Sequence, residues 1–272
     1  MFAKLLKHEW KATSRLLGIL TLCALSVGVL GGVAVRVIIA ATEKVVSDGA
    51  AALVISGSVF LIMGLFLALV LYGSGTEIYL LIRFYKTRFT DEGYLTFTLP
   101  VKNRSIFLSS YVNMLLWMLI SAITIFAALI IGTVIACAGN VDLQEIQSEL
   151  EYMGYMFEEP GFDGYFLVQA IGVVISALSS IMIMMGCITV GAVIAKKHKI
   201  LAAIGIYYGQ SVVMGMIASV IQVASTFTMI DTNATGTQFA LMTGLTYVIQ
   251  AAWGVGAYFL SMHLINKKLN LP

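Results

Sequence analysis

SIFLSSYVNMLLWMLISAITIFAALIIGTVIACAGNV, residues 105–141, holds no charged side chain. At 1.5 Å of rise per residue, about 20 helical residues cross the roughly 30 Å hydrocarbon layer of a bilayer, and this stretch exceeds that. No water reaches the layer, so each backbone N–H and C=O must be satisfied inside the segment, which makes a single long run helical. The strands of an outer-membrane barrel are about ten residues long and alternate in polarity; this run is far longer. Five further uncharged runs flank it: Leu16–Val35, Gly49–Thr76, Gly164–Ala195, Ile200–Ile230 and Thr232–Asn266. The pattern predicts an all-α integral membrane protein with six transmembrane helices, at 16–40, 50–82, 105–139, 164–195, 200–228 and 237–265.

Composition agrees. Sixty per cent of the 272 residues are apolar and 11% are charged, where a globular protein carries about 25% charge. Twenty-five glycines suit membrane helices, in which small residues let backbones approach. Of the 16 basic residues, all but Arg36 and Lys44 fall on one side if both termini are cytoplasmic. That asymmetry sets the orientation, with N- and C-termini inside. The basic residues then act as topological anchors, and a net charge of +2 gives no reason to expect a nucleic-acid partner. A basic stretch without a small-residue cleavage pattern precedes the first run, so no cleaved leader is predicted.

Residues 1–15 form a different kind of helix. Lys4, Lys7, His8, Lys11 and Arg15 cluster on one side, and Phe2, Leu5, Leu6, Trp10 and Ala12 on the other. Such an amphipathic helix lies in the membrane interface. Glu9 interrupts its apolar face. Its carboxylate either turns to water beside a cation or pairs with another helix or subunit.

Between the second and third runs, residues 83–104 form an inner loop containing Thr90-Asp91-Glu92, a cap followed by acids suited to a helix N-terminus. Pro100 ends what begins there. The short helix carries Tyr94, Leu95, Phe97 and Leu99, more apolar surface than so short a loop can bury by itself. These side chains fold back onto the membrane helices or enter a partner protein. The outer connection 140–163 holds seven acids, among them Asp142, Glu158 and Glu159, and no basic residue. It is read as an external acidic loop, with Leu143, Ile146, Leu150 and Met153 at helical spacing. It either steers cationic molecules or is ordinary external sequence.

Catalytic constellations are missing from the sequence. Gly73-Ser-Gly75-Thr76 lacks the lysine of a phosphate-binding loop, and neither a nucleophile elbow nor a His-Glu-x-x-His motif occurs. Cys23, Cys137 and Cys187 lie in apolar runs without metal spacing, and His8, His198 and His263 sit at helix ends. No catalytic, metal or cofactor site is assigned to the chain. Arg36 and Glu77 are the charges of the membrane zone, both near run ends where snorkelling relieves them. A carrier driven by an ion gradient would need ionisable groups at mid-depth, so energy must come from elsewhere.

The segment Asp91-Glu-Gly-Tyr-Leu-Thr-Phe-Thr-Leu-Pro-Val-Lys-Asn-Arg-Ser-Ile-Phe-Leu108 resembles the first cytoplasmic loop of ATP-binding-cassette exporter permeases of the ABC type-two membrane family. The opening Lys4-Leu-Leu-Lys-His-Glu-Trp-Lys11 is similar to the interfacial helix of that family. The resemblance implies that Asp91, Glu92, Gly93, Tyr94, Leu95, Phe97, Leu99 and Pro100 build a coupling helix that docks in a groove of a separate ATPase. It implies two such ATPases carrying ATP and Mg, a second membrane subunit, the same or related, and a place in the cell membrane. The cargo expected is an amphipathic peptide, antibiotic or lipid-like molecule. Two rival readings remain: an energy-independent channel or scaffold, and an intramembrane enzyme. Gly28/Gly32 and Gly205/Gly209 are spaced for close helix contacts, within the chain or at a seam between subunits. Met182, Met184 and Met185 either pack or line an adaptable cavity.

Overall fold

A computed structural model describes residues 2–44, 49–90, 93, 101–138, 148, 151, 154–155, 162–195, 198–231 and 236–268. These residues are almost wholly helical. The elements are α1 (Phe2–Lys44), α2 (Gly49–Phe89), α3 (Asn103–Cys137), α4 (Phe162–Ile194), α5 (Lys199–Asp231) and α6 (Gly236–Lys268). All 6 are long and apolar enough to cross a membrane, and the chain is a multi-pass membrane protein.

Two boundaries differ from those read in the sequence. The expected break between an interfacial helix 1–15 and the first crossing is absent, because α1 runs unbroken for 43 residues. Residues 2–17 contain neither Gly nor Pro, so continuing the hydrogen-bond ladder costs less than interrupting it. For the same reason α2 continues through Arg83–Phe89, which the sequence reading had placed in the inner loop. The remaining helix ends differ from the sequence reading by one to four residues.

The chain divides into two compact units: Met1–Ile82 with Val112–Ile146, and Arg83–Tyr111 with Gln147–Pro272. In the first, α1 and α3 touch backbone to backbone. A Cβ added at Gly28 would lie 2.4 Å from the Ala128 carbonyl oxygen, and one at Gly32 would lie 2.5 Å from that of Gly132. Both helices advance by four residues between the two contacts, so they run parallel, as crossings separated by one helix must. Ala24, Leu69 and Ala128 form the core, with Val27 and Tyr72 against them.

The lower end of α1 is pinned by a polar and aromatic clamp. Trp10 stacks on Trp117 with ring centroids 4.8 Å apart. The Trp117 indole N–H donates to the Thr13 hydroxyl at 2.8 Å, and that hydroxyl donates to the Glu9 and Trp10 carbonyls at 3.1 Å. Thr13 is fully buried and Lys4, Lys7, His8, Lys11 and Arg15 are exposed. Glu9 is half-buried on the covered side. Replacing Trp117 by Phe keeps an aromatic ring but leaves the buried Thr13 hydroxyl without this donor, which costs about 1 kcal/mol. The expected result is a thermal midpoint lowered by about 3 °C, and Thr13→Val in the Trp117→Phe background should add little. Additive losses would show that the two side chains act separately.

In the second unit α4 and α6 pair along their length. A Cβ at Gly172 would enter the Tyr247 ring, one at Gly254 would lie 3.0 Å from the Ser179 Cβ, and one at Gly186 would be 3.0 Å from the Ala257 Cβ and 3.5 Å from the Ser261 hydroxyl. Residues 172, 179 and 186 thus face 247, 254 and 257/261 in a parallel, seven-residue register, the spacing of knobs-into-holes packing. Gln250 Nε2 donates to Ser176 Oγ at 3.3 Å within this seam. Helix α5 touches α4 closely near its start, where a Cβ at Gly191 would come 2.6 Å from the Ala203 nitrogen. Most of α5 beyond that point is exposed.

The two glycine pairs read from the sequence part company here. Gly28/Gly32 packs inside the chain. Gly205 and Gly209 face outward, with nothing within 4 Å of an added Cβ at either. Met185 is fully buried and Met182 and Met184 are half-buried, so these methionines behave chiefly as packing residues.

Candidate functional site

The last two turns of α2 and the first two of α3 meet the end of α6 in an aromatic knot. Phe84 sits edge-to-face with Phe89 at 5.8 Å and with Phe107 at 5.9 Å. Phe107 in turn meets Tyr258 at 5.7 Å. Such edge-to-face pairs add about 0.5–1.5 kcal/mol each beyond the area they bury. Ile106 and Phe107 are almost fully buried, as are Phe84 and Phe89. At the rim, Asn103 Nδ2 donates to Asn266 Oδ1 at 3.0 Å and ties the start of α3 to the end of α6. Two helix turns deeper, the Tyr111 hydroxyl donates to the Leu178 carbonyl on α4 at 3.0 Å.

Inside this knot lies a cation. Arg88 is 5% exposed. Its Nη2 donates to Ser110 Oγ at 2.9 Å and reaches the Ile106 carbonyl at 3.5 Å. A guanidinium offers five donors in a rigid plane, so a buried one organises whatever lies around it. The sequence reading had counted Arg88 among the topological anchors, exposed to the inner aqueous phase. The sequence carries no signal of it, because Phe84, Phe89 and Phe107 wall off the helix end on which Arg88 sits only once the fold brings them together.

The chain leaves α2 through a turn that accepts only glycine. The Thr90 hydroxyl donates to the Lys86 carbonyl and closes the last turn of α2, so the residue read as a helix-start cap serves the end of the preceding helix. The Gly93 amide donates to the Thr90 carbonyl at 2.8 Å. Gly93 is buried, and a Cβ there would lie 2.4 Å from the Arg88 carbonyl oxygen and 2.8 Å from its carbon. Gly93 is therefore in backbone contact with the helix turn that carries Arg88.

Of the predicted coupling residues, Gly93 alone is described; Asp91, Glu92, Tyr94, Leu95, Phe97, Leu99 and Pro100 lie outside the described residues. The described residues on either side, Thr90 and Asn103, are both held by the knot, with Gly93 against the Arg88 turn. Only about 10 Å³ of void remains among Phe84, Arg88, Phe89, Asn103, Ile106, Phe107 and Ile265, barely the room one water needs. The arrangement is thus a packed mount rather than a pocket that holds a ligand. Of the loop read as external, Ser148, Glu151, Gly154 and Tyr155 are described, and all four are exposed. No protein family, no curated protein and no solved structure matches the chain.

Proposed function

We propose that the chain is the membrane-spanning permease subunit of an exporter driven by ATP hydrolysis on a separate ATPase, coupled through residues 91–100. The observation that carries this reading is the mount itself. A loop of this length is held at both ends by a close-packed knot of α2, α3 and α6, with a buried arginine and a glycine contact at its root. Rigid anchoring suits a segment that must take up a push and pass it to membrane helices; a loose tether would absorb the push. The four apolar side chains Tyr94, Leu95, Phe97 and Leu99 then supply the groove-filling surface for the partner.

In this reading two ATPase subunits bind ATP and Mg, and their closure moves the α2–α3 junction. Helices α2, α3 and α6 move with it and exchange inward- and outward-facing arrangements in a cell membrane. A second membrane subunit, the same or related, completes the pathway, and the outward Gly205/Gly209 face of α5 offers it a smooth surface. The cargo is an amphipathic peptide, antibiotic or lipid-like molecule. The chain itself performs no catalysis.

The test is co-purification from the native membrane. An ATPase should accompany the tagged chain, and Tyr94→Ser or Phe97→Ser should each weaken that association about 30-fold, the effect of losing a central interface residue worth about 2 kcal/mol. Undiminished ATPase binding by the variant with all four apolar residues made polar, and still monodisperse, would remove the coupling assignment.

A further inference from the structure

Asn103 at the start of α3 and Asn266 at the end of α6 lie 163 residues apart in the chain, and their side chains meet through a hydrogen bond of 3.0 Å. That contact gathers cations which the sequence keeps far apart. Lys102 and Arg104 flank Asn103, Lys267 follows Asn266, and all three are exposed. Neighbouring Cα atoms are about 3.8 Å apart, so three long side chains rise from the two ends of one hydrogen bond. None of them pairs with a carboxylate among the described residues, and the two helix ends, 102–105 and 263–268, contain no acid. Asn266 accepts in the bridge, which leaves its own NH2 group able to donate to an anion.

Depth decides where that anion comes from. The uncharged run of α3 begins at Ser105 and that of α6 closes at Asn266. The cradle therefore stands where both helices leave the hydrocarbon layer, at the level of lipid headgroups. One turn further in, Leu108 and Leu264 are half-buried and still reachable, and they give acyl chains an apolar surface. A phospholipid brings both complements, a phosphate at one level and methylenes at the next. An acidic protein face would answer the cations but not the leucines.

We propose that the Asn103–Asn266 cradle holds the phosphate of an anionic phospholipid, gripped by Lys102, Arg104 and Lys267, with its acyl chains passing over Leu108 and Leu264. Arg104 can take two phosphate oxygens at once, and the lysines act as point charges. A zwitterionic lipid carries the same phosphate but also a cation of its own, which the cradle repels, so the site selects net negative charge. The site stands whatever residues 91–100 bind.

The experiment uses the full chain in phosphatidylcholine nanodiscs doped with a phosphatidylglycerol that carries a photoreactive group high on one acyl chain, the labelled residues being located by mass spectrometry. Label should concentrate on 104–108 and 260–267. Unlabelled phosphatidylglycerol should displace it, whereas added phosphatidylcholine and inorganic phosphate should not. Each cation near an anionic lipid is worth about 5-fold in affinity, so Lys102→Gln combined with Arg104→Gln should weaken the site about 30-fold. Asn266→Ala keeps every charge but lets the two helix ends part, and should weaken it about 5-fold, the share of one cation. All three are surface changes that should leave the thermal midpoint in phosphatidylcholine unaltered. Labelling unchanged in both variants, or equal displacement by the two lipids, would reduce the cradle to diffuse headgroup attraction and overturn the site. A cradle shielded from label in native membranes until bound proteins are stripped would assign it to an acidic protein partner, and would overturn it too.

Discussion

Arg88→Ala should lower the stability of the protein by about 3–5 kcal/mol, the range for removing a large buried side chain. Two losses combine. Truncation leaves a cavity among Phe84, Phe89 and Phe107, whose rings pack around this helix end. It also removes the donor held by Ser110 Oγ and the Ile106 carbonyl, and hydrogen bonds to a charged group are worth about 1.5–3 kcal/mol. The thermal midpoint in detergent should fall by roughly 10 °C. Arg88→Lys should not restore it, because an ammonium is a compact point charge that cannot place two donors in one plane. Ser110→Ala should cost less than Arg88→Ala, since the arginine keeps its remaining contacts and the ring cavity is not opened. A lysine variant as stable as the parent would mean that charge alone matters there, and the organising role given to the guanidinium would be lost.

The register of crossings was legible because its cause is local. Uncharged runs must be helical in lipid, and their number and lengths follow from counting. Boundaries at 15/16 and 82/83 were misplaced for a reason equally physical. The runs mark where charge begins, but a helix ends where Gly, Pro or a cap ends it, and neither boundary has one. Thr90 and Gly93 supply the real stop after α2.

Packing was legible only in part, and the two glycine pairs show why. Gly28 and Gly32 meet Ala128 and Gly132, which repeat the same four-residue spacing on α3. Gly205 and Gly209 have no such counterpart within the chain and share their face with Leu201, Tyr208 and Val212, all exposed. A small-residue pair predicts a close contact once its partner pair is found. The α4–α6 seam could have been found by that rule, since Gly172, Ser179 and Gly186 repeat at seven residues against Gly254 and Ser261. The buried Arg88 could not, because a cation beside a basic loop reads as an anchor until the aromatic residues around it are brought together in space.

That contrast yields the second large effect. Gly28→Val should destabilise the protein by about 3 kcal/mol or more, at the upper end for overpacking, whereas Gly205→Val should stay within about 0.5 kcal/mol of the parent. Both changes put the same side chain into a helix interior, so differences in helix propensity largely cancel between them. At Gly28 the obstructing atoms are the Ala128 oxygen at 2.4 Å and its Cα at 2.7 Å. These are backbone atoms, and no rotamer change moves them. The helices must separate, which draws Ala24 away from Ala128 and Leu69. In lipid nothing compensates, because the contact is held by close packing rather than by exclusion of water. Gly132→Val should fall between the two, since its added Cβ would meet the Gly28 oxygen at 3.1 Å and otherwise only atoms beyond 3.6 Å. Thermal midpoints of the three variants in one detergent, read by tryptophan fluorescence, would order them Gly205→Val, Gly132→Val, Gly28→Val from most to least stable. Equal midpoints for Gly28→Val and Gly205→Val would mean that α1 and α3 are not in backbone contact.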